Sequence, residues 1–275
     1  MAIKETRRAA VAGHFYPSRP EKLRRLIDGF LADAGDQRRR AVGAIAPHAG
    51  LVYSGACAAH VFGRLFIPPV VVILAPNHTG IVNAPGGASL WSRGAFETPL
   101  GPVPVAEDFA AALAADCSLA AHDPDAHLSE HAVEVELPFI RILAPESKIV
   151  PVVLAWGDWA RCKQLADALT VTIRTWPEDV LLVASSDMTH FEPADRAERK
   201  DMLALGAIQA LDAKGLLATC ASERITMCGR AAAAVVVEAA RQLGATRGDL
   251  VDYRHSGRVT GDDSNVVAYA GVIID

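Results

Sequence analysis

The sequence predicts an α/β protein: a single-domain, three-layer sandwich with a largely parallel or mixed central sheet flanked by helices. Three observations predict it. Short apolar runs rich in β-branched residues, at 42–46, 70–74, 149–155 and 180–184, have the length and composition of buried strands. Segments with helical spacing of apolar residues separate the later runs, and strands alternating with helices imply βαβ units. No internal repeat, linker or low-complexity segment breaks the pattern, so residues 1–275 read as one domain.

The elements follow in order. Leu23, Leu26, Ile27, Phe30 and Leu31 recur at helical spacing; Pro20 suits a first turn, and Ser18 stands where an N-cap belongs. The strand at 42–46 ends in Pro-His-Ala-Gly, and that at 70–74 ends in Ala-Pro-Asn-His-Thr-Gly. Residues 83–105, rich in glycine and proline, predict an irregular excursion with a hairpin. Helices are expected near 107–115 and 130–143, the second kinked or shortened by Pro138. A strand at 149–155, a helix at 159–173 and a strand at 180–184 come next, the last running into Ser-Ser-Asp-Met-Thr-His. Helices around 195–211 and 229–243, then strands near 250–253 and 266–274 that pair antiparallel, complete the pattern.

Composition narrows the function. The net charge is −5, no basic tail exists, and Arg38-Arg39-Arg40 reads as a solvated loop, so nothing speaks for nucleic acid. No apolar stretch approaches the roughly 20 residues of a membrane span, and the polar residues 1–11 do not resemble a signal peptide. Five cysteines without a CxxC pair fit a reducing compartment, hence the cytoplasm. GxGxxG, Walker, HExxH and GxSxG motifs are absent, and Gly86-Gly87 alone is too weak to suggest phosphate binding.

The chemistry concentrates where strands end. The run 42–46 leads to His48, 70–74 to Asn77 and His78, and 180–184 to Asp187 and His190. Ligands of open α/β sheets bind beyond the carboxyl ends of strands, so these residues are expected to converge. Pro47 and Pro76 keep the chain extended there, and Gly50 and Gly80 let it turn. His48 and His78, expected on adjacent strand ends, can offer two imidazoles to one ion, or be hydrogen-bonded loop histidines. Cys228 precedes Gly229 and an alanine-rich helix, where the dipole favours thiolate, a soft ligand suited to iron, copper or zinc; the alternative is an inert small residue. Asp187 and His190 read as an acid/base dyad or as a helix cap beside an incidental histidine. Glu130, His131 and Glu134 open the expected helix, where acidic residues also occur for dipole reasons alone.

These segments resemble the Memo family, known in bacteria and archaea as AmmeMemoRadiSam system protein B. The resemblance is carried by Val11-Ala12-Gly13-His14-Phe15-Tyr16-Pro17, Pro47-His48-Ala49-Gly50-Leu51-Val52-Tyr53-Ser54-Gly55, Ala75-Pro76-Asn77-His78, Thr98-Pro99-Leu100-Gly101, Glu130-His131-Ala132-Val133-Glu134, Leu137-Pro138-Phe139, Ser185-Ser186-Asp187 with His190, Cys228-Gly229 and the tail 265–270. It implies a fold similar to class III extradiol dioxygenases and a metal site of His48, His78 and Cys228, with iron (Fe2+) first and copper or zinc as alternatives. His190 resembles the acid/base histidine of those dioxygenases, with Asp187 beside it, and His131 is implied to line the pocket. The dioxygenases have a carboxylate where this family has cysteine, so ring opening does not carry over. Ala132 stands where the family usually has serine.

Three functions follow as expectations. The first is a metal-dependent redox enzyme acting on a small molecule, with His190, Asp187 and His131 catalytic. The second is a metal-free hydrolase in which Cys228 attacks and His190 activates it. The third is a non-catalytic metal-handling or protein-binding module, since fold does not imply activity.

Overall fold

A computed structural model describes residues 5–35 and 37–275. Residues 1–4, part of the stretch read as lacking a signal peptide, lie outside the described residues. The first half contains β1 (Thr6–Arg7), α1 (Pro20–Asp33), β2 (Gly43–Ala46), α2 (Leu51–Phe62), β3 (Val70–Pro76), β4 (Ala88–Leu90), β5 (Ala95–Phe96), β6 (Val103–Pro104), α3 (Glu107–Asp116), β7 (Ala120–His122) and α4 (Leu137–Leu143). The second half contains β8 (Lys148–Leu154), α5 (Trp159–Thr175), β9 (Val180–Ser185), β10 (His190–Glu192), α6 (Ala194–Gln209), α7 (Ala213–Ser222), α8 (Arg230–Gln242), β11 (Gly248–His255), α9 (Gly257–Thr260) and β12 (Val266–Ile274).

The main sheet runs β10-β12-β2-β9-β3-β8-β4-β7, with β11 also paired to β12. Its centre, β2-β9-β3-β8, is parallel; β12 joins β2 antiparallel and β4 joins β8 antiparallel. The sheet is therefore mixed around a parallel middle, and β11 and β12 pair antiparallel as expected. A small second sheet, β1-β5-β6, supplies the hairpin expected within 83–105.

Strand β3 shows why three layers form. Its residues are buried on both faces, and successive side chains point oppositely. Val70, Val72 and Leu74 enter the core under α3, α5, α6, α7 and α8, while Val71, Ile73 and Ala75 enter the core under α1, α2 and α4. A continuous apolar run is what such a strand requires. No helix among the described residues is long and apolar enough to cross a membrane.

Two expectations need correction, and two helices were not expected. Helix α1 has Arg19 at its N-cap with no side-chain cap, so Ser18 does not cap it, although Pro20 does open the first turn. The helix expected from 130 begins only at Leu137, after a single 3-10 turn over Glu134–Glu136. Pro138 has no backbone N–H to give and therefore sits at a helix start, not inside one. Helix α2 carries no polar stripe, because eight of its twelve residues are buried, and so has little amphipathic signal to read. Helix α7 is likewise additional, capped by Asp212, whose carboxylate accepts from the Gly215 N–H at 2.8 Å.

Candidate metal centre

The polar loops do meet at the carboxyl ends of the parallel strands. β2 delivers His48, β3 delivers His78 and β9 delivers Asp187 and then His190. The expectation that His48 and His78 lie on adjacent strand ends is corrected, because β9 lies between β2 and β3. The loops nevertheless bring the two rings to 5.3 Å, nearly perpendicular. His131 closes the group, stacked on His78 at 4.7 Å and edge-on to His48 at 5.4 Å. One ligand atom from each of His48, His78 and His131 lies within 4.8 Å of the others, a set able to hold a metal ion.

Hydrogen bonding decides which nitrogens face this point. The Ser185 hydroxyl touches three groups: Nδ1 of His48 at 2.8 Å, Oε1 of Glu136 at 2.8 Å and the Ala132 carbonyl at 2.7 Å. A hydroxyl has one proton, and a carbonyl can only accept. Ser185 therefore donates to Ala132, and both His48 Nδ1–H and a protonated Glu136 donate to Ser185. Burial pushes the Glu136 carboxyl well above its usual range, with the Asp187 charge adding to this, so the neutral form is the one expected. His48 thus carries its proton on Nδ1 and turns a bare Nε2 to the centre. Burial and the neighbouring His131, His78 and His190 hold it well below the ordinary histidine value.

His78 is held at Nδ1 differently. Its Nδ1 bonds Oε1 of Glu130 at 2.9 Å, and its backbone N–H donates to Oε2 at 2.6 Å. Burial opposes protonation of His78, but the hydrogen bond and charge of Glu130 outweigh it and raise the ring above its ordinary value. The Glu130 carboxylate, buried yet accepting also from Ala132 N–H, is held below its usual range. A carboxylate on the far nitrogen is the usual companion of a ligating imidazole.

The 130–136 segment is anchored to the N-terminal strap. Arg7, fully buried, pairs with Glu134 and donates to the carbonyls of His127 (3.0 Å) and Glu130 (2.6 Å). Glu134 further accepts from Tyr16 and from the backbone N–H groups of Ala10 and Val11. Glu134 is thus a structural clamp.

The Cys228 sulfur lies 3.4 Å from Nε2 of His48. It is outside the three-histidine set. Ligand bonds of about 2.0 Å to nitrogen and 2.3 Å to sulfur, meeting near the tetrahedral angle, separate N and S by roughly 3.5 Å. The pair thus has the spacing of two ligands of one ion. Gly229 permits the approach, since a Cβ there would lie 2.5 Å from the Ser185 carbonyl oxygen and from Ser186 Cβ. Burial, aided by the Asp187 charge, pushes the thiol up to about 12. The partial charge of the helix end does not offset desolvation, and helix α8 itself starts only at Arg230.

Asp187 and His190 do not form a hydrogen-bonded dyad. The Asp187 carboxylate accepts from the backbone N–H groups of His48 (2.9 Å) and Ala49 (3.3 Å), fixing the loop that carries His48. Burial raises it to about 7, against those two bonds. It caps a loop, and not the helix expected after it. His190 is placed by its backbone N–H, which donates to Thr226 at 2.7 Å, and by Thr189, whose N–H and hydroxyl both bond Asp201. Its Nδ1 is buried without a hydrogen-bond partner. The structure adds Ser185 and Glu136 to the residues singled out in sequence; the signal for Glu136 was an acid directly before the apolar run 137–140.

A cleft of about 390 Å³ reaches Cys228 and is lined also by Asn77, Val82, Trp156 and Arg230. Larger clefts, of about 750 and 660 Å³, lie at the opposite pole, near the starts of the parallel strands, and hold none of the clustered histidines. The cleft beside the sulfur is the one that bears on chemistry.

A family model described as Memo-like protein matches residues 7–273. A MEMO1 family protein of Methanopyrus kandleri is 38% identical over 280 residues, covering 97% of this chain and 98% of its own. Another, of Methanothermobacter thermautotrophicus, is 41% identical over 276 residues (96% and 98%). A third, of Aquifex aeolicus, is 40% identical over 268 residues (97% and 98%).

Proposed function

Since the chain belongs to the Memo-like protein family, we propose that it is a metal-dependent redox enzyme holding one iron(II) ion through His48, His78 and Cys228, with His131 as an adjoining donor. The observation that carries this reading is the pair of imidazoles, each held at Nδ1 by its own partner, beside a sulfur 3.4 Å from Nε2 of one of them. Imidazoles held from behind at Nδ1, with a thiol beside them, suit a transition metal. A reduced ion bound there would supply redox and Lewis-acid chemistry to a small molecule.

The chain's own residues do the rest. Asp187 and Ser185 fix the loop and the ring of His48; Glu130 fixes His78. His190, held below its usual value mainly by burial, would exchange a proton with substrate at Nε2, because Nδ1 is enclosed. The cleft opening beside Cys228 favours an enzyme over a closed storage site. A metal-free thiol nucleophile is disfavoured, since the imidazole beside Cys228 is His48, not His190, and burial pushes the thiol up. Four other cysteines are buried free thiols, in keeping with a cytoplasmic setting.

The test is metal content after anaerobic purification and titration with iron, copper and zinc. Iron near one per chain is expected, falling more than ten-fold in His48→Ala and in Cys228→Ser. A folded wild type that takes up no metal overturns the proposal, and a preference for zinc or copper replaces the iron assignment.

A further inference from the structure

The cleft beside Cys228 has one polar feature that the metal reading does not use. Arg230 lines it and forms no ion pair or side-chain hydrogen bond among the described residues. Its guanidinium lies over Gly157, where a Cβ would stand 3.8 Å from Nε and Nη2. No acidic residue occupies the first turn of α8, which Arg230 opens, so no carboxylate on that turn neutralises it.

The other polar groups in the wall are already satisfied. Asn77 donates to the Ile81 carbonyl and accepts from Thr79 and Gly80. The Trp156 indole N–H donates to the Gly86 carbonyl at 2.9 Å, which leaves the ring as apolar wall. Gly87, at φ +76°, lets the chain pass beneath that ring; a Cβ would lie 2.7 Å from it. Val82, Leu154 and Ala231 complete the apolar lining. The cleft thus pairs one free, fork-shaped cation with a flat apolar surface and ends at the sulfur.

We propose that the substrate is a small organic carboxylate with a flat apolar body, its carboxylate gripped by Arg230 and its far end directed to Cys228. A guanidinium matches a carboxylate bidentately. A phosphate dianion has more charge and more acceptors than a single Arg can meet. The volume of about 390 Å³ is at the small end of ligand pockets and limits the body to about one ring. The substrate class rests on the metal-enzyme reading, whereas the anion site itself does not.

The experiment is calorimetric titration of the full-length protein with benzoate, with and without iron, using benzamide as the neutral isostere and phenyl phosphate as the phosphate arm. Benzoate should bind with a Kd of about 1 mM or tighter. Benzamide should bind at least ten-fold more weakly, and Arg230→Gln should cost benzoate about ten-fold or more. Arg230→Lys should recover part of the loss. Each variant must keep the wild-type melting temperature and iron stoichiometry. Equal benzoate binding by wild type and Arg230→Gln, or none by wild type, overturns the proposal; tighter phenyl phosphate than benzoate overturns the carboxylate assignment. Benzoate binding that needs Arg230 in a protein that takes up no iron sustains the anion site and removes the metal-enzyme reading.

Discussion

His48 and His78 approach one centre from opposite electrical surroundings. The His48 arm is sealed, with the side chain 1% exposed, and is wired through Ser185 to a carboxyl that keeps its proton. The His78 arm is open, the side chain 34% exposed, and is wired directly to a charged carboxylate. Both engage Nδ1 with a partner of their own. The difference teaches that the far nitrogen of a ring can be fixed by proton counting alone, without charge. It also teaches that the two rings are unequal donors. A carboxylate raises ring basicity, and a neutral hydroxyl does not. The charged arm continues into the Arg7–Glu134 clamp and His127, whose carbonyl accepts from Arg7.

The contrast can be broken most severely with acid. His127, enclosed and donating from Nε2 to the Ser89 carbonyl, is held by burial at about 4. A histidine depressed below its unfolded value of about 6.5 gives stability that is present above pH 6.5 and lost as pH falls through 4. The span amounts to about 3 kcal/mol. Urea unfolding from pH 7 to 4 should show this loss in the wild type and much less of it in His127→Gln; matching slopes would count against it.

A smaller effect should come from Glu130→Gln, which removes the charge behind His78. Metal affinity should fall about 10- to 100-fold, equivalent to about 1.4–2.8 kcal/mol. Competition with a chelator reads this directly, and an unchanged affinity would remove the charged arm from the account. The smallest effect belongs to Glu136→Gln. An amide N–H can replace the carboxyl proton toward Ser185, so affinity should change less than about three-fold and stability by less than about 0.5 kcal/mol. A loss as large as that of Glu130→Gln would mean that Glu136 is ionised and that the proton count at Ser185 is wrong.

Much of this was legible in residues 42–46, 70–74 and 180–184, because buried parallel strands leave a continuous apolar signature and their ends are where loops gather. Helix α2 was not legible, since burial on most sides erases the periodic polar stripe. The donors could be found by position, but their wiring could not. Spacing suggested Asp187 with His190; folding instead turned Asp187 onto the His48 and Ala49 amides, 139 and 138 residues away. The Ser185–Glu136 bond likewise spans 49 residues and leaves no local pattern.

Strand β12 carries a consequence for synthesis. It is the final strand of the chain, yet it lies inside the sheet, between β2 and the pair β10 and β11. Until residues 266–274 are in place, the β2 edge that they cover is unpaired, so the strand that leads to His48 is completed by one of the latest segments to be made.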